Sequence, residues 1–321
     1  MVGLAKNTGK TETLATILAE HAEAGRRVGV TSIGRDGEEH DVIDARIAKP
    51  RILLVAGSIV ATTGALLRAS GVAHERLAET GMRTPLGEVV VAELREQGAI
   101  EVAGPSVAAD VRTVSDAMAG YGAEQVLIDG AIDRRAASSP AVTDGLVMAT
   151  GAVLGDTIER VVALTEAAVE LVRLPCWGDG GGEGIELSRG LVLGGDHLAL
   201  AGWLQEHPHA DTFTIDGALS EQFLQSLLSA RGKGGREVRI VVGDPTKVFL
   251  SARPPGWYRR QGIVIEVRHP IELKAITINP VAPQSHRFES EELRRGIEAA
   301  VHDVPVFDVF DERRRESPPS G

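Results

Sequence analysis

The stretch Gly3-Leu4-Ala5-Lys6-Asn7-Thr8-Gly9-Lys10-Thr11, followed at once by an Ala-, Leu- and Glu-rich run to Ala24, sets the fold expected of this chain. A loop that cradles phosphate needs glycine, so that backbone N–H groups can turn inward around the anion. Behind it must lie a helix N-terminus, whose dipole favours negative charge. A lysine must reach the terminal phosphates, and a Ser or Thr hydroxyl must meet Mg2+. Gly9, Lys10 and Thr11 supply these features together. The spacing departs from Gly-x4-Gly-Lys-Thr by one residue: Leu4 stands where the first glycine is expected, and Gly3 is one position early. Only Met1 and Val2 precede Gly3, against about five residues for an ordinary strand. The expectation is therefore a natural start several codons upstream.

Working outward, Gly25 stops the first helix in the usual C-terminal position, and Val28–Ile33 follows as a strand before the turn-forming Gly34-Arg35-Asp36-Gly37. Residues 52–55 and 57–61 read as strand then helix, with an open boundary. Helical patterning covers 62–70, 85–97, 106–121 and 156–172. Val126-Leu127-Ile128, ending in Asp129-Gly130, and Leu146–Ala149 read as buried strands. Such alternation implies an α/β fold, a mostly parallel sheet with helices on both faces. Past Pro175 comes a glycine-rich stretch, 177–184, that marks a boundary. Further strands are expected at 212–215, 238–242, 263–267 and 275–278, with helices at 220–230 and 290–301. The expected organisation is 1–160, 161–310 as an extra α/β segment, and a charged, Pro/Ser-rich tail at 311–321. Two strand ends rhyme, Ile128-Asp129-Gly130-Ala131-Ile132 and Ile215-Asp216-Gly217-Ala218-Leu219.

Composition narrows the function classes. Aromatics are only 3%, so the core must rest on aliphatic side chains, as in helix-covered strands. A formal charge of −11 argues against a nucleic-acid surface, which needs clustered Lys and Arg. The single cysteine, Cys176, excludes an internal disulfide and a Cys-built metal cage, and a reducing cytoplasm is the expected home. The most apolar stretch, Ile52–Leu67, carries two glycines, a serine and two threonines, and is shorter than the roughly 18–20 residues of a spanning helix. No basic-then-apolar leader opens the chain, so a soluble protein with no membrane partner is expected. The histidines show no metal-pair spacing, and no Gly-x-Ser-x-Gly elbow supports a serine hydrolase. An Asn-Lys-x-Asp guanine motif is absent, which leans the nucleotide toward ATP.

A glycine, five residues, then Gly-Lys-Thr resembles the dethiobiotin-synthetase-like (SIMIBI) branch of P-loop NTPases. Leu127-Ile128-Asp129-Gly130-Ala131 is similar to that branch's Glu-Gly-Ala strand end, and Ile278-Asn279-Pro280-Val281-Ala282-Pro283 to its late strand and base-contacting Asn loop. The synthetase's Lys-Pro after strand two is absent; Lys49-Pro50 comes later. The signature lysine of the ParA/MinD type would fall at Ala5. A closer resemblance is to the ATP-dependent reactivase subunit of lysine 5,6-aminomutase. It is carried by Gly3–Thr11, by Thr31-Ser32-Ile33-Gly34-Arg35-Asp36-Gly37-Glu38, by Ile128–Arg135, and by Thr143-Asp144-Gly145 through Ala149-Thr150-Gly151-Ala152. The resemblance implies a P-loop ATPase using ATP and Mg2+ that reactivates an adenosylcobalamin-dependent aminomutase, with a second reactivase subunit as a further partner; a homodimer is left open. An ATP-dependent ligase or kinase of the dethiobiotin synthetase type is the alternative, and a GTP-dependent metallochaperone is disfavoured.

On this reading Lys6, Asn7, Thr8, Gly9, Lys10, Thr11 and Glu12 contact nucleotide, with Asn279 and Pro280 at the base. Lys10 neutralises γ-phosphate charge. Thr11, Asp36 and Asp129 face magnesium, and Lys10, Asp36 and Asp129 form the catalytic set. Each has a plainer counterpart: Thr11 as a helix-start residue, Asp36 as a solvated loop acid, Asp129 as a turn Asp, and Asn279 as a turn former before Pro280. Arg35 reads as a phosphate clamp or a solvated loop residue. Arg134 and Arg135 suit an anion or partner, or structural ion pairs.

Overall fold

The computed structural model describes residues 1–33, 51–130, 139–178, 185–188, 192, 197–207, 209–232, 235–283 and 285–310. The chain forms two compact units: Met1–Val161 together with the stretch from Lys274 onward, and Val162–Leu273.

Along the first stretch lie β1 (Val2–Gly3), α1 (Lys10–Glu23), β2 (Val28–Ser32), β3 (Ile52–Leu54), β4 (Ile59–Thr63) and α2 (Gly64–Ser70). Then come β5 (His74–Thr84), β6 (Gly87–Leu94), β7 (Gly98–Ile100), α3 (Ala108–Gly120), β8 (Gln125–Asp129), β9 (Leu146–Gly151) and α4 (Ile158–Val172). The second unit adds β10 (Ile185–Glu186), α5 (His197–Glu206), β11 (Thr212–Thr214), β12 (Leu219–Ser220), α6 (Glu221–Arg231), β13 (Val238–Val242), β14 (Val248–Phe249), α7 (Pro255–Arg260) and β15 (Ile263–Val267). The chain ends with β16 (Leu273–Asn279), α8 (Ser290–Val301) and β17 (Val306–Asp308).

The first unit carries strands in the orders β5-β6-β4-β2-β8 and β1-β9-β16-β17. The Met1 nitrogen donates to the Ile128 carbonyl at 2.7 Å, and the Met1 carbonyl accepts from the Gly130 N–H at 3.1 Å. Strand β8 therefore runs beside β1, and the two sets read as one sheet. Pairs β2–β4, β2–β8, β1–β9 and β16–β17 are parallel; the β5–β6 hairpin joins antiparallel to β4. Helices cover both faces. Leu14 and Leu18 of α1 and Leu67 of α2 pack with Val28, Val30, Val60 and Val90. On the opposite face Val114 and Met118 of α3 pack with Ile59, Ala61, Val89 and Val91. Each such buried side chain contributes about 1.5–3 kcal/mol relative to exposure.

Three expectations change. Residues 85–97, expected as helix, are largely strand β6, because Val89 and Val91 are buried on one face and Val90, Ala92 and Leu94 on the other. A run apolar at every position fits a doubly covered strand and a buried helix equally; β-branching and the β5 partner decide it. Residues 57–61, expected as helix, enter β4 for the same reason. The expected second part, 161–310, also divides: 162–273 form the second unit, while β16 and β17 return to the first and sit beside β9. The tail 311–321 lies outside the described residues.

The second unit has its own parallel sheet, β10-β11-β13-β15. Phe213, Ile240 and Ile265 align across it and pack with Leu200 of α5, Phe223, Leu224 and Leu227 of α6, and Tyr258 of α7. Glu221 opens α6 and accepts hydrogen bonds from the Ser251, Ala252 and Arg253 N–H groups at 2.9–3.0 Å, from Ser251 Oγ at 2.7 Å and from Tyr258 Oη at 3.0 Å. Burial alone would raise its carboxyl pKa; the bonds from Ser251, Ala252 and Tyr258 outweigh that and hold it at about 2. Burial, then the bond to Glu221, pushes the Tyr258 hydroxyl up.

Candidate functional site

From β1 the chain moves one way to β2 and β4, and from β8 the other way to β9 and β16. The carboxyl end of β1 thus lies where the strand order reverses, the position at which open α/β sheets bind ligands. The Leu4–Gly9 loop occupies it, and Asp129, Gly151 and Asn279 end the nearby strands β8, β9 and β16.

Glycine spacing in the loop has a geometric cause. A Cβ on Gly3 would lie 2.5 Å from Thr8 Oγ1, because the buried Thr8 folds back to donate to the Ala5 carbonyl at 3.0 Å. The early glycine is therefore required at the strand end itself, where the loop closes over it. Leu4 N–H donates to the Ala149 carbonyl at 2.9 Å and fixes the loop's entry. The bend runs through Asn7 (φ 67°) and Gly9 (φ 89°), both left-handed. No side-chain hydrogen bond caps α1 at Gly9, whose carbonyl accepts from Thr13 N–H at 2.9 Å and Thr13 Oγ1 at 3.0 Å.

Lys10, the first residue of α1, turns toward β8. Its ammonium lies 2.7 Å from Asp129 Oδ1 and donates to the Gly130 carbonyl at 2.7 Å. Both side chains are about a quarter exposed, so the pair is open to solvent on one side. Lys6, Asn7 and Thr11 are exposed, and Glu12 is half-buried. Asn279 is buried and joins the loop: its Nδ2 donates to the Asn7 carbonyl at 2.9 Å, and its Oδ1 accepts from Val281 N–H at 3.0 Å. Pro280 is buried beside it, its carbonyl accepting from Phe288 N–H at 2.9 Å.

Lys10 and Asp129 are thus brought together, and Asn279 meets the loop at Asn7. Asp36, expected in the catalytic and magnesium sets, lies outside the described residues, as do Arg35, Lys49-Pro50, Arg134 and Arg135. Among the described residues no group of three or more His, Cys, Asp or Glu is placed to hold a metal ion. Thr11 and Asp129 have the oxygen chemistry of a magnesium site completed by phosphate and water, for which one or two protein ligands suffice.

Sequence reasoning missed four contributors: Gly151, Thr13, Thr277 and Phe310. The Thr13 and Thr277 hydroxyls meet at 2.7 Å in the interior, tying α1 to β16. Phe310 and Asn279 flank Gly9, where a Cβ would come within 3.4 Å of each. The alternation of Thr277 and Asn279 along β16 was the one available signal, since residues two apart share a face.

No family model matches the chain, and no curated protein or solved structure is significantly similar to it. Among the described residues no helix is long and apolar enough to cross a membrane.

Proposed function

We propose that the Gly3–Thr11 loop holds the phosphate chain of Mg·ATP, and that the chain is a P-loop ATPase that reactivates an adenosylcobalamin-dependent aminomutase of the lysine 5,6 type. The observation that carries the nucleotide reading is Lys10. Its ammonium sits on Asp129 Oδ1 and the Gly130 carbonyl, at the head of an uncapped helix and at the sheet's reversal point. A phosphate chain against the loop offers Lys10 a more highly charged acceptor. Lys10 then leaves Asp129, and the freed carboxylate would be available, with the Thr11 hydroxyl, to hold magnesium. Bound there, magnesium would supply neutralisation of the phosphate charge. The loop and Lys10 orient and stabilise. Exchange of the Lys10–Asp129 contact also changes what ties α1 to β8, which makes the site responsive to nucleotide.

The partner assignment rests on the sequence resemblance. The buried segment 102–105 crosses the ends of β2 and β4: Ser32 Oγ donates to the Val102 carbonyl at 3.2 Å and accepts from Gly104 N–H at 3.1 Å, and Thr62 Oγ1 accepts from Ala103 N–H at 2.9 Å. Chain thus occupies the space beyond the ends of β2 and β4. ATP turnover measured alone, with small carboxylic acids, and with the aminomutase tests the reading. Stimulation by the aminomutase is expected; a phosphorylated or ligated acid would establish the alternative instead. Lys10→Ala should abolish nucleotide binding in calorimetry while preserving the fold, and normal hydrolysis by this variant would refute the assigned loop.

A further inference from the structure

Asn279 sits deeper in the loop's construction than a base contact requires. Its side chain is buried, with one amide N–H donated to the Asn7 carbonyl and its amide oxygen accepting from Val281 N–H. Two glycines make room for it. A Cβ on Gly9 would lie 3.3 Å from Asn279 Cβ, and a Cβ on Gly151 would lie 2.9 Å from Asn279 Cβ and 2.3 Å from its carbonyl oxygen. The Asn7 carbonyl that it holds belongs to the left-handed residue at the loop's bend, a conformation that costs a non-glycine residue energy and needs a partner to persist. Two residues earlier on β16, the buried Thr277–Thr13 hydroxyl contact ties the same strand to the first turn of α1.

We infer that Asn279 is a positioning residue that braces the loop from below. Together with Thr277 it holds Asn7 and the start of α1 in the shape that receives phosphate, and it does not select the base. The inference rests on the phosphate-loop reading above. A brace acts on every ligand that carries the phosphate chain, whereas a base contact acts only on the nucleoside end, so one comparison separates the roles.

The experiment is calorimetric titration of ATP, GTP and inorganic tripolyphosphate, each with magnesium, into the full chain and into Asn279→Ala and Thr277→Val. Losing a buried hydrogen bond that shapes the site should weaken binding roughly tenfold or more. The expected result for Asn279→Ala is the same fold-loss for all three ligands, with the ATP-to-GTP ratio unchanged and faster amide exchange at residues 4–9. Thr277→Val, which keeps the packing volume, should give a smaller parallel loss, and it carries the test if Asn279→Ala does not fold. A loss confined to ATP, a changed ATP-to-GTP ratio, or unaltered affinity for all three overturns the inference. Failure of the unmodified chain to bind either ATP or tripolyphosphate overturns the phosphate-loop reading beneath it, an outcome distinct from ATP-selective loss.

Discussion

Asp129 ends one parallel strand and Asp216 lies two residues beyond another, both in the words Ile-Asp-Gly-Ala, yet they stand in different company. Asp129 ends β8 beside β1, and β1 delivers a glycine loop and the Lys10 ammonium to within 2.7 Å of its carboxylate. Asp216 follows β11, which lies between β10 and β13. It is exposed and, among the described residues, makes no ion pair. An acid at a strand's carboxyl end is common to both sheets; what differs is the neighbouring strand and the loop it carries. Chemistry is therefore set by adjacency across the sheet, which a local motif does not contain.

The sharpest way to break this contrast is a paired substitution. Lys10→Ala should take ATP binding out of the calorimetric range, a loss of about a hundredfold or more when a charge-assisted contact goes, while Asp216→Asn should leave calorimetric affinity unchanged. Equal losses would mean the two strand ends are not functionally distinct. Next in size is Gly151→Ala. Its methyl would meet the Asn279 backbone, and overpacking of this kind costs about 1–3 kcal/mol, read as a lower denaturation midpoint.

Acid should separate the two units. Glu221 has a folded-state pKa of about 2 against an ordinary 4.5. Its contribution to the second unit is thus fully present above about pH 4.5 and lost as pH falls toward 2. The three tryptophans, Trp177, Trp203 and Trp257, all lie in 162–273, so intrinsic fluorescence follows that unit alone. Glu221→Gln should flatten the fluorescence-detected stability change across this window; an unchanged pH profile would show that Glu221 does not brace the 251–253 turn. The smallest effect concerns stability at the loop. Because the Lys10–Asp129 pair is partly solvated, Lys10→Ala should shift the unfolding free energy by no more than about 1 kcal/mol, checked by denaturant titration.

Much of this architecture was legible in the sequence, and the misses have physical causes. Isolated aliphatic strands bounded by turns, such as Val238–Val242 and Ile263–Val267, and the amphipathic helix Ser290–Val301 matched residue for residue. Segment 85–97 misled because a doubly buried strand has no polar face to show its period. Within the site, Lys10 and Asp129 were readable as local motifs. The Thr13–Thr277 and Asn7–Asn279 contacts were not, since each joins residues more than 260 positions apart. Nor could spacing show that β16 belongs to the first sheet, because an entire second sheet intervenes.

That intervening sheet imposes an order on biosynthesis. The Asn7 carbonyl and its Asn279 partner are separated by 272 positions, so a ribosome makes the loop early and the strand that secures it only after the whole second unit. Until then a nascent chain presents β9 with β1 on one side and a bare edge on the other, the kind of edge that invites wrong partners. On the proposed reading, a loop shaped to receive nucleotide therefore waits until β16 has been made. A fragment ending before residue 273 should be prone to aggregate, with its glycine loop left unsecured.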